Sequence, residues 1–276
     1  MTHIVQFSGG KDSTALVLWA RENLPEFTAV FCDTGWEHPL TYAYVQHINE
    51  TQLGGKLVTV KSAKYDGLAD LSHKRKIVPS VRMRFCTEEL KVRPFQKWME
   101  EQDFEEATVY QGIRAAESSA RAKMSHRVFE PVYEAWIERP LFDWTAEQVF
   151  KMHVKHGVEP NPLYKMGAKR VGCFPCVMVS KGELRNLSRT MPEIWDQIQK
   201  VEEAVDEGRA FFRHDYIPER FHTGRYSELT DHKSGCPVEG TFPTWQDVKF
   251  YVTRPDQLEL WDDEPRSCLS VYNLCE

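Results

Sequence analysis

Apolar residues along the chain fall into short β-branched and aromatic runs, separated by longer stretches in which they recur every three or four positions. Ile4-Val5-Gln6-Phe7 is followed by Ser8-Gly9-Gly10-Lys11-Asp12-Ser13 and then by Thr14-Ala15-Leu16-Val17-Leu18-Trp19-Ala20, which predicts strand, tight loop and helix. Phe27 to Cys32 predicts a second strand ending at Asp33-Thr34-Gly35, Leu40 to Ile48 a helix, and Leu57 to Val60 a third strand. Val109-Tyr110 reads as a further strand, and Pro140 to Thr145 as a strand end with Thr145 capping a helix that carries Val149, Phe150 and Met152. Thr87 is expected to cap a helix through Leu90, Val92, Phe95 and Trp98, kinked or broken near Arg93 by Pro94. Ile194, Ile198, Val201 and Val205 predict one helix from Met191 to Gly208. Strands alternating with helices imply an α/β fold with a doubly wound, mostly parallel sheet. The expected organisation is an α/β domain over residues 1–157 and a helical, cysteine-bearing region over 158–276.

The loop after the first strand carries the clearest chemistry. Gly9 and Gly10 allow backbone conformations closed to other residues, so successive N–H groups can line one concavity at a positive helix end. Lys11 adds a charge, and Ser8 and Ser13 add hydroxyls. This is a phosphate cradle, with a plain glycine turn capped by Asp12 or Ser13 as the bland alternative; the Walker pattern is absent. Ligands of parallel sheets sit beyond the carboxyl ends of the strands, so this loop and Asp33-Thr34-Gly35 should face one crevice.

Composition narrows the setting. The chain has 276 residues and a formal net charge of −6, with a mean hydropathy of −0.52. No run of eighteen apolar residues and no signal-peptide pattern is seen, so the expectation is a cytoplasmic protein without a membrane span. Seven cysteines without an export signal point to metal ligation, reactive thiols or burial rather than to disulfides. Lys74-Arg75-Lys76, Arg82 and Arg84 read equally as a solvated face or as an anion or nucleic-acid contact. His153 and His156 read as surface residues, Cys32 as core, and His3, His38 and His47 carry no spacing signal.

Ser8 to Ser13 resembles the PP-loop, Ser-Gly-Gly-x-Asp-Ser, of the ATP pyrophosphatases, which implies ATP with Mg²⁺ and cleavage between the α and β phosphates. Asp33-Thr34-Gly35 with Pro39, Cys86-Thr87 through Leu90-Lys91 to Pro94, Gly112-Ile113-Arg114 through Glu117-Ser118 to Arg121, and Trp144-Thr145 with Val149 resemble, in order, segments of the phosphoadenosine phosphosulfate reductase family. The resemblance covers about residues 4 to 180. It implies that Ser8, Gly9, Gly10, Lys11, Asp12, Ser13, Asp33, Gly112, Arg114, Glu117 and Arg121 meet the nucleotide, with Lys11, Asp12 and Ser13 closest to the chemistry. A guanidinium fork suits phosphate; a helix bearing surface arginines is the alternative reading of the Arg114 segment.

Cys173-Phe174-Pro175-Cys176 brings two thiols toward one ion or cluster. Joined to Cys86, it resembles the iron–sulfur branch of the same family, although the upstream Cys-Cys doublet is here Phe85-Cys86. Cys236, followed by Pro237, is the expected fourth ligand of a 4Fe-4S cluster; an open iron, as in related tRNA thiolases, zinc, or thiols without metal are the alternatives. The stretch from Phe211 to Arg225 interleaves aromatics with arginines and is read first as packing, with a nucleic-acid surface as the alternative.

The reductases of the family carry a tail Glu-Cys-Gly-x-His and often an eroded loop. Here the loop is intact, and the tail cysteines, Cys268 and Cys275, sit outside that motif. The first reading is therefore an ATP pyrophosphatase that adenylates an acceptor for sulfur transfer, with DNA or tRNA as acceptor and a sulfur donor such as a cysteine desulfurase. A phosphosulfate reductase working with thioredoxin, and a noncatalytic nucleotide-binding subunit, are the alternatives. A homodimer is compatible with each.

Overall fold

The computed structural model describes residues 1–80, 83–102, 104–205, 210–230 and 237–254, without side chains for 226–230 and 237–239. The strands are β1 (Thr2–Phe7), β2 (Thr28–Asp33), β3 (Val58–Lys61), β4 (Ala107–Tyr110), β5 (Arg127–Glu130) and β6 (Ala135–Glu138). They form a sheet of order β3-β2-β1-β4-β6-β5, parallel throughout except for β5, which pairs antiparallel with β6. The doubly wound α/β expectation is met.

Alternation along each strand sends side chains to two apolar layers. Val5 and Phe7 pack with α1 (Lys11–Asn23), α2 (Pro39–Gln52) and α6 (Ala146–Lys155), whereas Ile4, Val30, Val109 and Ile137 pack with Phe95 and Met99 of α5 (Arg93–Gln102). A third cluster joins Trp36, Leu71 of α3 (Leu68–Arg75) and Leu90 to Leu184 of α7 (Lys181–Thr190), Trp195 and Ile198 of α8 (Ile194–Glu202) and Val248 of α9 (Trp245–Thr253). β7 (Gly224–Thr230) and β8 (Pro237–Phe242) make a separate antiparallel pair.

Thr145 caps α6 as expected, accepting from Gln148 N–H. Thr87 does not cap: it has helical dihedrals and no side-chain cap. The chain is already helical at α4 (Phe85–Thr87) and widens into a π turn over Glu88–Val92 before α5 starts at Arg93. A π turn is one way to pass a proline that offers no N–H, so Pro94 resets the winding at Arg93. The long helix expected from Met191 to Gly208 is also corrected: Met191 ends α7, and α8 stops at Glu202. Gly208 lies outside the described residues. No helix among the described residues is long and apolar enough to cross a membrane.

Candidate active site

The loop between β1 and α1 is held from below and from one side. Ser13 Oγ donates to Gly10 O at 3.0 Å and accepts from Ser8 N–H at 3.1 Å, which closes the turn. Gly9 sits at φ +74°, and an added Cβ would come within 2.9 Å of Val45 Cγ2; both facts require glycine. Asn161, fully buried, donates to Gly9 O at 3.1 Å and accepts from Leu163 N–H at 3.0 Å. Lys11 N–H donates to the Tyr164 hydroxyl at 3.1 Å. His153 Nε2 lies 2.8 Å from Lys11 O. His153 is thus a buried prop of the loop and not a surface residue, and burial lowers its pKa. Neither Asn161 nor His153 was marked by spacing; the only signal for Asn161 was Pro162 beside it.

Charge at the start of α1 is paired. Lys11 Nζ stands 3.0 Å from Asp12 Oδ2, and Arg114 Nε stands 2.5 Å from Asp12 Oδ1. Burial opposes ionisation of Asp12, but the two cations outweigh it and hold the carboxyl below its ordinary range. Arg114 is 5% exposed and also donates to Trp144 O at 3.2 Å, so its fork grips protein. Arg121 is more open and pairs with Glu117. Glu117 and Arg121 occupy short 3₁₀ turns, Ala115–Glu117 and Arg121–Lys123, rather than a regular helix, and Arg114 precedes the first of them in extended backbone. Gly112 lies so close to α1 that an added Cβ would be 2.9 Å from Asp12 O.

Asp33 ends β2 beside this cradle. Its Oδ2 meets Lys61 Nζ at 2.7 Å, while Oδ1 accepts from Gly35 N–H at 2.9 Å and from the Tyr42 hydroxyl at 2.7 Å. Burial opposes its ionisation, yet these partners hold its pKa down. Glu37, buried, accepts from Thr34 Oγ1 at 2.6 Å and from Tyr42 at 3.0 Å.

The Cys173 segment is hydrogen-bonded to this same loop. Glu37 and Cys173 form an isolated antiparallel bridge, Phe174 N–H donates to Trp36 O at 2.7 Å, and Trp36 Nε1 donates to Pro175 O at 2.9 Å. Thr34 Oγ1 is 3.7 Å from Cys173 Sγ. Cys86, Cys173 and Cys176 are free thiols. Burial pushes the Cys86 thiol up, and Cys173 and Cys176 push it further, so the three share one electrostatic field. Lys91 holds its proton more tightly than usual, chiefly through Cys173 and against burial. Cys32 lies in β2 as core, its pKa pushed up to about 11 by burial. Among the described residues no group of three or more His, Cys, Asp or Glu side chains could hold a metal ion. Cys236, Arg82, Cys268 and Cys275 lie outside the described residues. Lys74 pairs with Asp70 at 2.8 Å on a solvated face, whereas Arg75 pairs with the buried Glu89. Phe211 and Phe212 are buried in the third cluster, and Arg213 and Arg220 stay exposed, so the aromatic residues there serve packing.

The family profile of the phosphoadenosine phosphosulfate reductase domain matches residues 2–179. A 37.8 kDa protein of Escherichia phage 186, itself uncharacterised, is 32% identical over 261 residues, covering 74% of this chain and 75% of its own length. An uncharacterised Methanocaldococcus jannaschii protein is 30% identical over 206 residues, which is 72% of this chain but only 41% of that protein. The crystal structure of phosphoadenylyl-sulfate reductase from Candida auris, a phosphate complex, superposes with a TM-score of 0.51 at 19% identity, over 64% of this chain and 83% of that one. At that identity the likeness shows a shared fold.

Proposed function

The chain belongs to the phosphoadenosine phosphosulfate reductase domain family, a family of enzymes on a nucleotide-binding PP-loop fold, and on that footing we propose that it is an ATP pyrophosphatase preparing an acceptor for sulfur transfer. One observation carries the reading: an intact Ser8 to Ser13 cradle with Lys11 follows β1, next to the Asp33 loop after β2, and that loop is hydrogen-bonded to the segment carrying the free thiols Cys173 and Cys176. The acceptor oxygen attacks the α-phosphorus, the α–β bridge breaks, and pyrophosphate leaves with the bonding pair. The Lys11 ammonium, with loop N–H groups other than those of Ser8 and Lys11 that bond within the protein, would stabilise charge on that leaving group. Asp12, pinned by Arg114, sets the place of Lys11. Magnesium is carried largely by the phosphates and needs only one or two carboxylates, so the lack of a three-ligand group among the described residues does not bear on it.

Sulfur at the hydrosulfide level then displaces AMP, whose departure carries off the acceptor oxygen, and no electrons are exchanged. An iron–sulfur cluster, whose ligands are spread over several irons, is the group this reading sets on the free thiols. Cys86, Cys173 and Cys176 would hold it, and the bound cluster would supply a thiophilic site for that sulfur. The acceptor class we favour is nucleic acid, DNA or tRNA.

The test is ATP-dependent pyrophosphate release with nucleic-acid acceptors. It is expected to persist in Cys86→Ser, which loses only the thiolated product, and to fall by about a hundredfold or more in Lys11→Ala. Absence of pyrophosphate with every nucleic acid tried, together with sulfite release from a phosphosulfate, would replace this reading with the reductase one.

A further inference from the structure

The carboxyl ends of β1 and β4 hold a polar pair that neither the cradle nor the thiols use. Val5 and Tyr110 are register partners, so the next residues, Gln6 and Gln111, stand side by side. Gln111 Nε2 donates to Gln6 Oε1 at 3.1 Å, and Gln111 N–H donates to Glu138 O at 2.9 Å. The side-chain oxygen of Gln111 is shielded from solvent and has no hydrogen-bond partner among the described residues. A buried acceptor left this way costs free energy comparable to a lost hydrogen bond, and native proteins keep few of them.

Its position explains what could satisfy it. The chain runs from β1 outward to β2 and β3 on one side and later to β4 on the other. The space between β1 and β4 is therefore the switch point, where open parallel sheets bind ligands. Gly112, the next residue, packs against the first turn of α1 at Asp12. The backbone that follows Gln111 thus stands beside the phosphate cradle. Gln6 shares a sheet face with Ile4, opposite the face of Val5 and Phe7 that packs on α1. A nucleotide with its phosphates at the start of α1 has its sugar and base within reach of the strand ends.

We propose that Gln111 Oε1 accepts a hydrogen bond from an N–H or O–H of the sugar or base of the bound nucleotide, and that Gln6 fixes the orientation of that amide. The inference rests on nucleotide binding at the loop and is independent of pyrophosphate release. A site built around a buried acceptor discriminates against ligands that lack the matching donor.

Calorimetric titration of the full chain tests it, with ATP, 2′-deoxy-ATP, 3′-deoxy-ATP and the triphosphate of unsubstituted purine riboside as probes. Wild type is expected to bind one of the three analogues about tenfold more weakly than ATP, and which one names the donor. Gln111→Met should abolish that preference and Gln111→Glu keep it. Gln6→Leu, which frees the amide without removing it, should lower the preference part-way. Tripolyphosphate affinity, unchanged across the set, reports an intact cradle. Equal affinity of wild type for all four nucleotides overturns the proposal, as does a preference that survives Gln111→Met. A protein that discriminates in this way yet releases no pyrophosphate would sink the previous reading and leave this one standing.

Discussion

At the scale of single residues, the site is a set of buried props more than a set of exposed ligands. Arg114 illustrates this, because two of its guanidinium nitrogens are held by Asp12 and Trp144 O. Its family-like position was visible in the sequence, but its partner was not, since 102 positions separate the two residues. Asn161 acts similarly on the other side of the loop. Asn161→Ala would leave Gly9 O and Leu163 N–H without their side-chain partners in a dry setting, a loss of about 2 kcal/mol or more. Urea denaturation should show it as a lower midpoint at unchanged m-value, accompanied by weaker ATP binding. Residues such as Asn161 and His153 escaped the sequence reading because a prop is defined by what it meets in three dimensions.

At the scale of elements, the strand ends and the loops that leave them decide the geometry. The first strand, the loop and α1 were legible because hydrophobic period and glycine placement agree there. The π turn at Glu88–Val92 was not, since its trigger, Pro94, signals a disturbance without saying how the helix absorbs it. Nor was α7, which no sequence expectation covered, or the end of α8 at Glu202, short of Gly208. Gly35 shows how tightly the loops are set. It has φ +61°, and an added Cβ would fall 2.2 Å from Asp66 O, a backbone atom. Gly35→Ala should therefore cost about 2 kcal/mol or more. The displaced Asp33 loop should also weaken nucleotide binding, so chemical denaturation and calorimetry on one variant check both effects.

At the scale of the whole molecule, three apolar layers hold the sheet and the cysteine-bearing region together. Alternating strands and helices made the parallel sheet readable from the sequence. The third layer was not, because it assembles side chains as far apart as Trp36 and Val252. One carboxylate in it gives the fold a pH dependence. Glu202 accepts from Phe211 N–H and Trp245 N–H, each at 3.0 Å, and burial, with Asp247 adding to it, pushes its pKa from 4.5 to about 7. The folded chain therefore binds this proton more readily than the unfolded chain. Its contribution is full below pH 4.5 and is lost as pH rises toward 7, by about 3 kcal/mol. In Glu202→Gln, unfolding free energy measured between pH 4.5 and 7.5 should lose that component of the slope.

The hydrogen bonds that tie Trp36 to Phe174 and Pro175 have a consequence for how the molecule responds as a unit. Because the Asp33 loop and the thiol segment share backbone contacts, neither can shift without straining the other. On the function proposed above, occupancy at one end should therefore be linked to occupancy at the other, and such a linkage is reciprocal. Whatever factor a filled thiol site adds to nucleotide affinity, a bound nucleotide returns to the thiol site.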